Sequence, residues 1–196
     1  MCEALPECSS VLRYNLSMAC SWCSLPLRKR SGALTCSVRC RVAKSRVTFP
    51  EEMRALPNWL RHKSKAPWAV ANYPGSSTNP KTWSSFDYAN KSTVGDGLGF
   101  TLNGDGIACI DLDHCIVDGM LDERAQLIVD CCRSTFIEVS LSGTGLHVFG
   151  RAVVGKGFVR NGVEVYDRGR FIAVTGRRFK KCPLVLSDIS DVISCL

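Results

Sequence analysis

The chain has 196 residues, a formal net charge of +7 and 12 cysteines. Its 45% apolar content is enough for a packed core and argues against wholesale disorder, and no apolar run approaches the ~18 residues that suggest a membrane span. The start lacks a basic segment and carries Glu3, Glu7 and Arg13 through any would-be apolar stretch, so no signal peptide is expected.

Charge and cysteine are both skewed toward the N-terminus. Residues 1–50 hold eight basic and two acidic side chains, a net +6, while the remaining 146 carry only +1. Half of the cysteines fall in the same segment. Two modules are implied. In the first, Cys20-Ser21-Trp22-Cys23 is followed twelve residues later by Cys36-Ser37-Val38-Arg39-Cys40. Two short cysteine pairs joined by such a loop suit a tetrahedral Zn²⁺ site built on two facing knuckles. So short a segment buries too little apolar area to fold alone, so metal binding would supply the folding free energy. Free thiols or disulfides are the alternatives, and disulfides need an oxidising compartment. Arg28, Lys29 and Arg30 between the knuckles, and Arg39 and Arg41 after them, suit contacts to a phosphate backbone or else form a solvated face. The string from Cys20 to Arg46 resembles small zinc ribbons found at the ends of bacterial and phage proteins. Residues 1–15 read as a tail, 16–48 as the ribbon and 49–196 as a second domain.

Thr48-Phe49-Pro50-Glu51-Glu52 predicts a short helix with Thr48 as cap and acids in the first turn, stopped by Pro57. A strand is expected from Trp59. Residues 62–96 read as a long ordered loop with a short helix near 83–90. Strands are then predicted at 98–102 and 107–112, flanking the hairpin turn Asn103-Gly104-Asp105-Gly106. A helix is predicted over 121–132, and further strands at 136–140, 146–150, 163–166 and 171–175. The expected fold class is α+β, one sheet with helices packed on one side.

The chemistry centres on Asp111-Leu112-Asp113. Alternation along a strand points both carboxylates the same way while Leu112 faces the core. Two such groups ~6–7 Å apart repel unless a cation lies between them, which suits Mg²⁺ or Mn²⁺; two solvated aspartates at a strand end are the plainer reading. His147 lies opposite the packed face of its strand, and Glu164, between Val163 and Val165, faces with the exposed set. The turn Ser142-Gly143-Thr144-Gly145 lets backbone N–H groups approach a phosphate closely. Without a following Lys-Ser/Thr, it is not a Walker loop. Cys109, Cys131 and Cys132 read as buried apolar positions, and His62 as a surface residue.

Residues 59–176 resemble the catalytic domain of the archaeo-eukaryotic primase superfamily, specifically the bifunctional primase/polymerases of phages, plasmids and actinobacteria. The resemblance rests on Asp111-x-Asp113, on Ser142 to His147, and on Glu164 within Val163–Asp167. It extends to Lys65-Ala66-Pro67, Asn79 to Ser84, and Arg170 to Gly176. It implies an RRM-like sheet and a DNA primase/polymerase that adds NTPs or dNTPs on a single-stranded DNA template, in the cytoplasm of a bacterial or phage-infected cell. Asp111, Asp113 and Glu164 would bind two Mg²⁺ or Mn²⁺ ions. His147 would contact the nucleotide triphosphate with Ser140, Ser142, Gly143 and Gly145 beside it. Lys65, Arg168 and Arg170 are nucleotide-binding candidates, though the two arginines also read as partners of Asp167. Asp167 rivals Glu164 as third ligand, and His114 reads as a structural neighbour. Many members continue into a helicase, which here would be a separate partner. A DNA-binding replication accessory with a vestigial nucleotide site is the alternative function.

Overall fold

The computed structural model describes residues 36–44 and 49–196. Cys20, Cys23, Arg28, Lys29, Arg30 and Thr48 lie outside these. Helix α1 (Val38–Lys44) starts directly after Ser37, whose hydroxyl accepts from the Cys40 amide at 3.1 Å. Arg39 and Arg41 are exposed on it. Helix α2 (Glu51–Ala55) has Glu51 and Glu52 in its first turn, where acids offset the helix dipole. Pro50 occupies its cap position rather than the helix itself, and Leu56, forced extended before Pro57, ends it.

The strands form two main sheets, not one. A four-stranded sheet runs β11 (Arg168–Val174), β3 (Gly97–Asn103), β1 (Trp59–Lys63), β2 (Ala66–Trp68). A five-stranded sheet runs β7 (Phe136–Val139), β8 (Leu146–Arg151), β4 (Ile107–Leu112), β10 (Val163–Tyr166), β9 (Phe158–Arg160). A two-stranded ribbon, β5 (Ile116–Val117) with β6 (Met120–Leu121), follows β4. The pairings of these strands are antiparallel. The expected β3–β4 hairpin is absent because neither strand has a free edge. β3 is flanked by β11 and β1, and β4 by β8 and β10. The turn at Gly104 and Gly106, both at positive φ, passes the chain from one sheet to the other.

Each face of the five-stranded sheet is covered, which explains why β4 is apolar along nearly its whole length. Ala108, Ile110, Leu112, Ile137, Val139, Val148 and Val163 pack on one side with Ala125, Ile128 and Val129 of α4 (Glu123–Cys131). Asp122 caps that helix, accepting from the Ala125 amide at 2.7 Å. Helix α5 (Ser190–Ser194) covers the same side through Val192 and Ile193. On the other side, Ile107, Cys109, Phe136 and Phe149 join the four-stranded sheet through Trp59, Phe100 and Ile172. Edge-on ring contacts run through this seam. Trp59 lies 5.1 Å from Phe100 and 4.8 Å from Phe86 of α3 (Phe86–Lys91), and Phe100 lies 6.5 Å from Phe149. Among the described residues, no helix is long and apolar enough to cross a membrane.

Two smaller expectations also change. His62 is buried, 2% exposed, because Gly97 leaves no Cβ where its ring lies. Cys131 is exposed at the end of α4, whereas Cys109 and Cys132 are buried as expected.

Candidate active site between the two sheets

Residues opposite one another on neighbouring strands share a face and lie close together. The register pairs Glu138 with His147, His147 with Asp111, and Asp111 with Glu164. Four chemically active side chains on β7, β8, β4 and β10 thus form one unbroken row. Two positions along each strand, Phe136, Phe149, Cys109 and Tyr166 make the parallel row on the same face. The site is the polar end of the face whose other end is the aromatic seam.

Asp111 is the strained member. Its Oδ1 is buried without a hydrogen-bond partner, and His147 Nε2 stands 3.7 Å away, beyond hydrogen-bond length. Burial pushes its carboxyl above the ordinary range. His147 pulls it down, while the like charges of Asp113 and Glu164 push it further up. Asp113 lies one residue past the end of β4, exposed in the turn before His114, so strand alternation does not aim it. His114 is exposed at φ 50.

His147 is buried with its Nδ1 at 2.8 Å from Glu138 Oε1. Burial would lower its pKa. The Glu138 hydrogen bond and charge, with Asp111 and Asp113 behind them, outweigh burial and hold it above the ordinary value.

The segment 140–145 is the tight connection of the β7–β8 hairpin. Ser140 N donates to Gly145 O at 2.9 Å, and Gly143 N to Ser140 O at 3.1 Å. The hydroxyls form a ladder, Ser140 to Ser142 at 3.0 Å and Ser142 to Thr144 at 3.1 Å. Gly143 sits at φ 81, and a Cβ on Gly145 would lie 2.7 Å from the Leu112 carbonyl oxygen. Arg177, absent from the sequence-based set, donates to Ser140 O at 2.6 Å and lies against Gly143.

Glu164 is engaged by two neighbours. Arg170 reaches its Oε2 at 2.7 Å, and the Tyr166 hydroxyl donates to the same oxygen at 3.0 Å. The Arg170 guanidinium also lies over the Tyr166 ring, 4.5 Å from its centroid. Arg168 goes elsewhere. A bulge between Arg168 and Arg170, with Gly169 at φ 65, sets the two arginines opposite Asn103 and Leu102, on opposite faces of β11. Arg168 therefore meets Asp167, at 3.0 and 3.1 Å. Asp167 is buried and also accepts from the Val154 amide at 3.0 Å, so it is a structural carboxylate away from the row. Lys65 is exposed at the tip of the β1–β2 hairpin, at φ 68, on the other sheet.

Among the described residues, no three His, Cys, Asp or Glu side chains stand gathered as a metal cage. The donor set nevertheless fits a hard divalent cation. An orphaned, like-charged carboxylate oxygen of Asp111 has Glu164 directly across the strand pair and Asp113 two residues on. Arg170 and Tyr166 both bond Oε2 of Glu164, which leaves its Oε1 to complete the set. At the start of the described residues, the Cys36 and Cys40 sulfurs lie 3.4 Å apart, close enough to ligate one ion.

Sequence reasoning missed Glu138 and Arg177. The available signal for Glu138 was its place between Ile137 and Val139, the same alternation that singled out His147. For Arg177 there was none, because its partner is 37 residues away.

No protein-family model matches the chain. The chain is similar to a protein named DNA primase-polymerase from Nitratiruptor phage NrS-1, at 34% identity over 143 residues. The match takes in 62% of this chain and 19% of that relative, so the chain spans about a fifth of the relative's length.

Proposed function

We propose that the chain is a template-dependent nucleotidyltransferase, a DNA primase/polymerase that joins NTPs or dNTPs on single-stranded DNA. The observation that carries it is the row His147–Asp111–Glu164, with an unpartnered aspartate oxygen at its centre. The likeness to a phage DNA primase-polymerase supports the same reading.

Asp111, Asp113 and Glu164 would hold Mg²⁺ or Mn²⁺, which supplies Lewis-acid charge to the phosphates and the attacking 3′-hydroxyl. The protein's own groups bind and orient. His147 Nε2 faces the row and donates to a phosphate oxygen. The hydroxyls of Ser140 and Ser142 and the tight backbone at Gly143 and Gly145 cradle the triphosphate, with Arg177 beside them. Arg170, already at the row, reaches a phosphate once it leaves Glu164. Cys20, Cys23, Cys36 and Cys40 would bind structural Zn²⁺, and the ribbon's Arg28, Lys29, Arg30, Arg39 and Arg41 would track the template backbone. The catalytic domain would span 49–196, acting with a separate helicase.

Primer synthesis on single-stranded DNA, with Mn²⁺ and with NTPs and dNTPs supplied separately, tests this. Labelled product from the parent and none from folded Asp111→Ala or Asp113→Ala is expected. Parental activity in both variants would overturn the metal assignment. The engagement of Glu164 by Arg170 and Tyr166 favours a second reading, a DNA-binding replication accessory whose nucleotide site stays closed. Normal DNA affinity with no nucleotide binding at saturating Mn²⁺ would select it.

A further inference from the structure

We infer that Glu138 is a positioning residue, one whose buried carboxylate fixes the His147 imidazole and thereby sets the affinity for the triphosphate of the incoming nucleotide. The inference rests on the nucleotide reading above and adds a residue to it.

Glu138 lies mid-strand in β7 and is 0% exposed. A carboxylate so placed costs free energy unless its oxygens are bonded, and an apolar side chain would serve the fold at least as well. Here both oxygens are used. Oε2 accepts from the Gly176 amide at 2.7 Å and the Thr175 amide at 3.0 Å, with the Thr175 hydroxyl at 3.4 Å. These backbone donors fix the carboxylate, so Oε1 meets His147 Nδ1 from a rigid base, at 2.8 Å. The ring stands edge-on to Phe149, 6.2 Å between centroids. Held by Glu138 and packed on Phe149, it can present only Nε2 to the middle of the row, where Asp111 lies. The bonds to Thr175 and Gly176 also secure the segment that leads directly to Arg177, the arginine of the Ser140–Gly145 turn. One buried carboxylate therefore ties the histidine and the arginine of the phosphate side to a common anchor.

The test is a double-mutant cycle on the full chain, reading nucleotide KM, kcat and the melting curve for Glu138→Gln, His147→Ala and the pair. Gln keeps the shape but loses the charge, and with its carbonyl kept by the backbone amides its NH₂ can bond His147 only by donating to an unprotonated Nδ1, so a ring protonated at Nδ1 loses its acceptor and its counter-charge. Glu138→Gln is expected to melt cooperatively and to raise KM about tenfold, the size of one charge-assisted hydrogen bond, with kcat changed less. In the His147→Ala background it should add nothing. Glu138→Asp, which keeps the charge but falls a methylene short, should move KM the same way and guards against a Gln variant that fails to fold. A KM effect of Glu138→Gln that persists undiminished without His147 would overturn the inference, as would a lowered melting temperature with KM unmoved. If His147→Ala itself leaves KM at the parental value, the nucleotide reading fails and takes the inference with it. That pattern is distinct from additivity.

Discussion

Arg170 holds the Glu164 carboxylate at 2.7 Å while its guanidinium lies over the Tyr166 ring. A divalent cation arriving at Asp111 must share Glu164 with this guanidinium and meets its positive charge. Arg170→Ala should therefore lower the Mn²⁺ concentration needed for half-maximal binding in the absence of nucleotide. It should also raise nucleotide KM, because the same arginine is lost from the phosphates. The arginine is 43% exposed, so stability should change by no more than about 1 kcal/mol. Metal titration followed by fluorescence or calorimetry reads the first effect, and denaturant unfolding the last.

Asp111→Asn removes an ionised group whose Oδ1 is buried without a hydrogen-bond partner. The metal-free protein should gain about 1 kcal/mol, since the like charges of Asp113 and Glu164 no longer face a third carboxylate. The same change should abolish both activity and the rise in melting temperature caused by Mn²⁺. Paired thermal scans with EDTA and with excess Mn²⁺ measure both effects.

Gly145→Ala puts a methyl group 2.7 Å from the Leu112 carbonyl and 2.9 Å from Ser140 Oγ. The backbone cannot absorb this locally, so about 1–3 kcal/mol of stability should be lost. The displaced hydroxyl ladder should weaken nucleotide binding as well. Chemical denaturation and a fluorescent-nucleotide titration separate the two.

Asp167 contributes to the acid behaviour. Burial alone would raise its carboxyl, but the Arg168 side chain and the Val154 and Gly155 amides outweigh it and hold it below the ordinary 3.8. A depressed folded-state pKa contributes stability that is complete above the unfolded value and is lost as pH falls through the folded one. Asp167→Asn should thus cost about 1–3 kcal/mol at neutral pH, and the gap to the parent should close below pH 3.8. Urea midpoints across that range test the sign.

Cys36→Ser should reduce tightly bound zinc from about one ion per chain to none. Metal analysis after dialysis against a weak chelator checks this. An unchanged zinc content would reassign the cysteine pair.

The bounds of β10 were legible because apolar and polar residues alternate there, and those of β4 and β8 because each is a mostly apolar run, in which period-2 geometry set Asp111 and His147 opposite their apolar neighbours. It could not supply their register, which depends on strands far apart in the chain. The two-sheet arrangement was hidden for a related reason. A Gly-rich turn between apolar strands looks the same whether it pairs them or passes the chain across a seam. β2 and β9 have three residues each, too few to show a period. Strand alternation does not reach Asp113, one residue past the strand end predicted and found at Leu112, because the chain turns there. Glu138 owes its role to amides at 175 and 176, and His62 its burial to the missing Cβ of Gly97, both settled by tertiary packing rather than by neighbours in sequence.

The bulge at Gly169 makes segment length a determinant of chemistry. Arg168 and Arg170 are two apart, and on a regular strand they would point the same way. The extra residue divides them, one fastening the scaffold through Asp167 and the other standing at Glu164. Were Gly169 drawn into the ladder as a paired residue, both arginines would face the same way, and everything before it would slip one register position against everything after.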